Sequence, residues 1–256
     1  MSFKDYFSTG SPDYAAFRPS YPPALFDWLT SLCSKRERAW DCATGNGQAA
    51  LELARHFKQV IATDASAQQI KAAKSFPGVE YRIAQAETSG LENDSVDLIT
   101  VAQAAHWFEL ERFYAEARRV LHPGGIIALW GYGRLILPGP MDQALARFYV
   151  HTIGAYWPPE RALVDEGYRS LAFPFREIRA PEFSIEVSWN LPRLMAYLAT
   201  WSAVKRYIAA VGTDPLPALE TELASLWCTG RAASEHCAAD EELALAWPLF
   251  LRVGRC

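Results

Sequence analysis

The segment Asp41-Cys42-Ala43-Thr44-Gly45-Asn46-Gly47 leaves this chain fewer folds than any other stretch. An apolar run over residues 38–43 enters it, and a helix-forming stretch over 48–56 leaves it. Gly45 and Gly47 free the backbone for a tight turn and for close approach of a ligand. A buried strand that ends in such a turn and feeds a helix is the first βα unit of an open parallel sheet. In such sheets ligands bind beyond the carboxyl ends of the strands.

The same alternation continues downstream. Residues 59–63 read as a second strand, and Ser66-Ala67-Gln68-Gln69 is a capping-box pattern that starts a helix. Further strands are predicted at 79–84, 96–101 and 126–130. Between the last two, Leu110, Phe113, Tyr114, Ala117, Val120 and Leu121 recur at helical spacing. His122-Pro123-Gly124-Gly125 is expected to stop that helix, by proline and a left-handed glycine cap. Upstream, Leu25, Leu29 and Leu32 share one face of a helix over 22–33 that Pro22-Pro23 opens. With right-handed crossovers these units predict an α/β fold, a doubly wound, mostly parallel, seven-stranded Rossmann-like sheet.

After Trp130 the rhythm changes. Residues 131–217 are richer in Pro, Trp, Tyr and Arg, with helices expected near 140–153 and 192–211 and a strand near 175–178 rejoining the sheet. This stretch reads as a helical substrate-side insertion, or cap, within a single domain over residues 1–256, and residues 1–37 read as an N-terminal helical lid. A last strand is expected over 243–253. Pro248 interrupts it, and proline suits an edge or bulge better than a central ladder.

A chain of 256 residues with 50% hydrophobic and 21% charged side chains buries an ample core without metal or disulfide staples. Its five cysteines are scattered without C-x-x-C spacing, so neither a zinc site nor a disulfide framework is expected. A formal charge of −4 gives no electrostatic reason to expect nucleic acid or an anionic membrane as partner. The start, Met1-Ser2-Phe3-Lys4-Asp5-Tyr6, opens no apolar targeting segment, and a reducing cytoplasm is the expected compartment. The composition does not determine oligomeric state.

Three features converge on a nucleoside with an amino-acid tail. The glycine turn offers backbone N–H groups to a carboxylate, and Asp41 at the strand end suits an ammonium. A pyrophosphate fits poorly beside that aspartate. Asp64 ends the second strand 23 residues after Asp41, near where an acidic side chain takes ribose hydroxyls in nucleotide-binding βαβ units. The alternative for Asp64 is a helix N-terminal charge ahead of Ser66. Finally, Gln85-Ala86-Glu87 follows the third strand and Ala102 to Phe108 follows the fourth, so both would flank the ligand.

These residues resemble the class I S-adenosylmethionine-dependent methyltransferases, in the broad subgroup with small-molecule acceptors. The family's acidic residue followed by G-x-G-x-G is matched by Asp41, Gly45 and Gly47, with Ala43 in place of the first glycine. The resemblance implies S-adenosylmethionine as cofactor, held by Asp41, Ala43, Gly45, Gly47, Asp64, Ala65, Gln85, Ala86, Glu87, Ala102 and Gln103. Many relatives carry Asp where Gln85 stands. His122-Pro123-Gly124-Gly125 is similar to the family's L-x-P-G-G turn. The match covers about residues 14–130. Within it, Tyr14, Phe17, Arg18, Tyr21 and Pro22 resemble the Y-x-x-x-R-P-x-Y-P opening of methyltransferases similar to trans-aconitate methyltransferase, a segment that folds over the cofactor. Tyr14, Phe17 or Tyr21 would then lie near the sulfonium, or else only staple the N-terminus to the sheet.

Methyl transfer needs alignment and exclusion of water, and a base only when the nucleophile carries a tightly held proton. His106 is the candidate base by position, with a structural role as its alternative. Tyr14, Arg18, Tyr21, Trp107 and Arg134 are the candidate acceptor-binding residues, and Arg18, Arg134 and Arg193 suit an acidic acceptor. Aromatic residues Tyr132, Tyr156, Trp157 and Trp201 either line that pocket or pack the core. Ala102 and Gln103 stand where metal-dependent O-methylation would want carboxylates, so no metal is expected. A nicotinamide-dependent dehydrogenase is the nearest rival, weakened because Ala43 and Gln48 replace two fingerprint glycines and no Y-x-x-x-K pair occurs. A non-catalytic cofactor-binding regulator on the same fold is the other.

Overall fold

Strands that are apolar on both sides have to be covered on both faces, and this dictates the layering. The structure, a computed structural model, describes residues 20–227 and 241–256. Strands β1 (Arg38–Cys42), β2 (Gln59–Asp64) and β4 (Val96–Ala102) are buried almost end to end. With β3 (Val79–Ile83) and β5 (Leu121–Tyr132) they pair in parallel. β8 (Leu243–Arg255) then runs antiparallel between β5 and β6 (Arg176–Ile178), which gives the path β3-β2-β1-β4-β5-β8-β6. That is the expected doubly wound, mostly parallel sheet of seven strands. An eighth, β7 (Ser184–Trp189), lies off the path and pairs with the first half of β8.

Two apolar layers cover this sheet. On one face, helices α1 (Pro23–Ser31) and α2 (Gln48–Leu53) set Leu25, Phe26, Leu29, Ala50 and Leu53 against Val60, Leu98, Ile126 and Trp130. On the other, α4 (Leu110–Val120) sets Phe113, Tyr114, Ala117 and Val120 against Trp40, Ile61, Ile99 and Ile127. The described part of the expected N-terminal lid is therefore a wall of the core, because Leu25, Phe26 and Leu29 are wholly buried. Residues 1–19 of that lid lie outside the described residues.

Several local expectations change in physical detail. No left-handed glycine caps α4; Leu121 turns extended at ψ 136 and β5 begins at once. Residues 122–125 instead form an irregularity inside β5, where its register with β4 shifts between Val96 and Leu98. Pro248 does not mark an edge. It sits where β8 passes from β7 to β5, paired by register with Ser184 while Leu249 already pairs with Tyr132. The helix expected over 140–153 is α5 (Pro140–Arg147), prolonged by a wider turn over Phe148–Thr152. That over 192–211 is two helices, α7 (Leu191–Ala199) and α8 (Ser202–Val211). The break falls where the Thr200 hydroxyl donates to the Tyr197 carbonyl at 2.6 Å and Trp201 turns extended. The helix expected after Ser66 is the short α3 (Ala67–Ala72), and two further helices have no counterpart in the sequence reading: α6 (Arg161–Asp165) in the insertion and α9 (Leu216–Trp227) after it. Among the described residues no helix is long and apolar enough to cross a membrane.

The antiparallel closure leaves little room at its centre. A Cβ added at Gly254 of β8 would lie 2.7 Å from the Phe175 Cβ and 2.8 Å from the Phe173 ring. Gly254→Ala is expected to destabilise the fold by about 1–3 kcal/mol through overpacking, read as a lower urea midpoint with an unchanged slope.

Candidate functional site

The carboxyl ends of β1, β2 and β4 meet at one edge of the sheet, and backbone strain gathers there. Ala43, one residue past β1, and Gln103, one past β4, both adopt φ +56. Side chains other than glycine rarely take that conformation, so the surroundings have to enforce it. Gln103 is held by two bonds, its N–H to the Trp130 carbonyl at 2.8 Å and its Nε2 to the Tyr132 carbonyl at 2.9 Å.

The glycine turn lies between these two positions. Gly45, at φ +58, donates its N–H to Asp64 Oδ2 at 2.9 Å, and the nearest atom to a Cβ there would be Gln69 Oε1 at 3.9 Å. Space therefore remains open beside it. Gly47, at φ +90, has no such room, because a Cβ would collide with the Tyr81 hydroxyl. Asp64 accepts a second N–H, from Ser66 to Oδ1 at 2.8 Å, and is half-buried with Ala65 beside it. Its carboxylate thus braces the turn and the entry to α3 together, which gives the helix-start alternative a concrete form alongside the ribose role.

Asp41 lies beneath the turn and is 1% exposed. Its Oδ2 accepts from Thr44 Oγ1 at 2.5 Å and its Oδ1 from Thr100 Oγ1 at 2.8 Å. The Ala50 N–H of α2 also draws on it. Burial pushes this carboxyl up to about 6, against the pull of the two hydroxyls and with the Asp64 charge adding to the rise. Asp41 shapes the turn from below, and Thr100 is a partner that sequence reasoning missed. Its signal was a hydroxyl inside the apolar run over residues 98–102 of β4.

The remaining predicted positions ring the same edge. Ala102 closes β4 opposite Trp130. Ala86 is buried and Gln85 exposed, while Glu87 accepts the Glu109 N–H at 2.9 Å and so ties this segment to the start of α4. Tyr21 is buried, edge-on to Trp130 at 5.5 Å between ring centroids. Tyr14, Phe17 and Arg18 lie outside the described residues.

His106 sits on a short turn, Ala105–Trp107, directly after β4. Its Nδ1 is 2.8 Å from the hydroxyl of Tyr168, a wholly buried residue at φ +59, and its ring lies 4.7 Å from that of Trp107. Burial, with the nearby Arg161 charge, pushes the imidazole down to about 3. Burial pushes the Tyr168 phenol up, so the hydroxyl keeps its proton while it shares a hydrogen bond with Nδ1. Burial makes this ring a weak base, and its contacts with Tyr168 and Trp107 give the structural alternative for His106 a concrete form beside the catalytic one. Arg134 is likewise already engaged. Both terminal nitrogens grip Asp142 at 2.7 and 2.9 Å, and one also reaches the Leu135 carbonyl, so its fork is unavailable to an acceptor. Arg193 stacks over Trp189. Arg161 and Tyr168 were missed because they reach the site only through the folding of residues 131–217.

A family model described as a methyltransferase domain matches residues 40–129. A Dictyostelium discoideum protein described as a methyltransferase is 37% identical over 231 residues, covering 89% of this chain and 88% of that one. A fission-yeast protein of the same description is 36% identical over 127 residues, about half of each chain. Among solved structures, one described as a type II methyltransferase from Anaeromyxobacter dehalogenans is 42% identical, with a TM-score of 0.86, over 93% of this chain and 97% of that one. Another, from Anabaena variabilis, shares the fold at 18% identity and a TM-score of 0.51, over 91% and 98%.

The raised carboxyl of Asp41 carries a pH dependence. Its folded value, about 6, exceeds the ordinary 3.8, so its contribution to stability is fully present below about 4 and is lost as pH rises through 6. That difference corresponds to about 3 kcal/mol. Asp41→Asn is expected to remove this slope: relative to the wild type, the variant gains up to about 3 kcal/mol between pH 4 and 7 in urea unfolding. Parallel pH profiles for the two proteins would contradict the assignment.

Proposed function

The chain belongs to the class I S-adenosylmethionine-dependent methyltransferases, and on that premise we propose that it methylates a small-molecule acid by direct in-line displacement. When bound, S-adenosylmethionine supplies a methyl group already activated by its sulfonium. The open space beside Gly45, the left-handed turn around it and the half-buried Asp64 carboxylate fit such a nucleoside. Asp64 would take the ribose, the turn over residues 43–47 would take the methionine portion, and Ala65, Gln85, Ala86 and Glu87 would border the base. Asp41 acts through the turn it holds.

The observation that carries the acid reading is the engagement of His106, whose Nδ1 lies 2.8 Å from the Tyr168 hydroxyl in a buried setting that lowers its basicity. With so weak a base directly after β4, the favoured acceptor is one that arrives as an anion and has no proton to surrender. A carboxylate meets that requirement. His106, Trp107 and Tyr168 then serve to orient the acceptor and exclude water, effects that reach about 7–11 kcal/mol in favourable systems. The N-terminal opening, similar to that of methyltransferases acting on a small carboxylic acid, supports the same class of acceptor. The formal charge of −4 supports a small molecule over nucleic acid, and the scattered cysteines suit a reducing cytoplasm.

Two outcomes check this reading. Asp64→Ala is expected to weaken S-adenosylmethionine binding by about 1–3 kcal/mol in calorimetry, the cost of a charge-assisted hydrogen bond. Unchanged affinity in a folded variant would remove Asp64 from the site. Labelled-methyl transfer to acids is expected to show no inflection near pH 6.5 that His106→Gln abolishes. Such an inflection would restore His106 as the base.

A further inference from the structure

We infer that Arg161 is the receptor for a carboxylate group of the acceptor, an assignment that rests on the acid-methylating reading above. Helix α6, which carries Arg161, packs against β5 and against the turn Ala105–Trp107, so it borders the carboxyl edge of the sheet. The Arg161 side chain is 20% exposed. Its guanidinium faces the rings of Trp157 and Tyr149, at 4.9 and 5.7 Å from their centroids. Nε donates to the Tyr149 hydroxyl at 2.8 Å and to Asp165 Oδ1 at 3.0 Å, while the Tyr149 hydroxyl donates to Asp165.

These contacts use one nitrogen of three. Among the described residues neither terminal nitrogen of Arg161 makes a hydrogen bond, and neither is sealed from solvent. The other arginines built into the fold behave differently. Arg134 spends both terminal nitrogens on Asp142, Arg252 spends one on the Tyr168 and Leu171 carbonyls, and Arg255 spends both on the Gly124 and Leu32 carbonyls. Even Glu160, the preceding residue, leaves its buried Oε2 without a hydrogen bond and does not pair with Arg161. An arginine fixed at Nε, stacked on aromatic faces and left with a free planar fork is preorganised for two parallel bonds to a carboxylate. Asp165 is 41% exposed, so water already screens the negative charge beside the fork. The clamp uses one lone pair on each carboxylate oxygen and leaves another on each for reaction. Trp157 and Tyr149 favour an acid with a planar or unsaturated apolar body.

Calorimetric titration of the full chain, saturated with demethylated cofactor, tests the assignment. The probes are benzoate, cinnamate, fumarate and succinate, each beside its methyl ester. At least one acid is expected to bind, with its ester weaker by roughly 10–100-fold, the loss of a charge-assisted pair. Arg161→Met is expected to abolish that preference, and Arg161→Lys to reduce it, while affinity for the demethylated cofactor stays within about twofold. Failure of all four acids to bind overturns the proposal, as does an ester that binds as well as its acid. If Arg161→Met does not fold, the acid-to-ester ratio in the wild type and in Arg161→Lys decides. Labelled-methyl turnover separates the two readings. Acid binding without methyl transfer to any acid keeps Arg161 as a carboxylate site and sinks the acid-methylating reading, whereas transfer to acids that Arg161→Met leaves unchanged keeps that reading and overturns Arg161.

Discussion

The buried carboxylate of Asp41 is the constraint from which the rest of the cleft follows. It lies on the central strand, where an unpaired charge would cost several kcal/mol, so every group around it is committed to satisfying it. Its three donors come from three elements: Thr44 from the turn, Ala50 from α2 and Thr100 from β4. One side chain thereby fixes the exit of β1, the start of the helix that follows it and the register between β1 and β4, where Asp41 stands opposite Thr100. Because burial also raises the carboxyl to about 6, the arrangement is held at a cost in stability. The rest of the core offsets it.

Strain is placed where that carboxylate holds the frame rigid. Ala43, Gln103 and Tyr168 are three of the four described non-glycine residues at positive φ, and all three border the same edge. Gly131 lets Gln103 settle there, since a Cβ would stand 2.8 Å from Gln103 Oε1. Positions forced into sparsely populated backbone conformations persist only where neighbours over-determine them. Here the neighbours are strand ends locked by a full parallel ladder, so the cleft is shaped before any ligand arrives.

The legibility of this molecule divides along the same line. The parallel half was readable because each strand, turn and helix is short and local: the apolar run, Gly45 and Gly47, and the Ser66 cap carry their own signals. Asp64 was readable for the same reason, although its bonds to Gly45 and Ser66 show a structural duty that spacing alone left open. The antiparallel half was readable only in part, since β6 and β8 were expected near 175–178 and 243–253 while β7 was not. The alternation of Ile185, Val187 and Trp189 is a genuine strand signal, but β7 has meaning only beside β8, more than fifty residues later. Pro248 misled because its missing N–H falls at the handover between two partners, a fact of topology that no local rule supplies. Arg134 looked available until Asp142, eight residues on, proved to be its partner. Arg161 gave no signal at all, since its value lies in bonds it does not make.

That division also explains how the two halves share the chemistry. Nucleoside recognition depends on backbone geometry at strand ends, which a parallel sheet reproduces with few sequence requirements. On the proposed reading, acceptor recognition would fall to side chains delivered by residues 131–227, which lie between β5 and β8, themselves joined by the longest antiparallel pairing among the described residues. Inside the insertion, Tyr149, Trp157, Tyr197 and Trp201 stack on one another, while Met141, Leu145 and Leu194 join the core that also covers the sheet. Methyl transfer gains mainly from alignment and dryness, and the half-buried His106, packed against Trp107 and hydrogen-bonded to Tyr168, stands at the sheet edge where both would be provided.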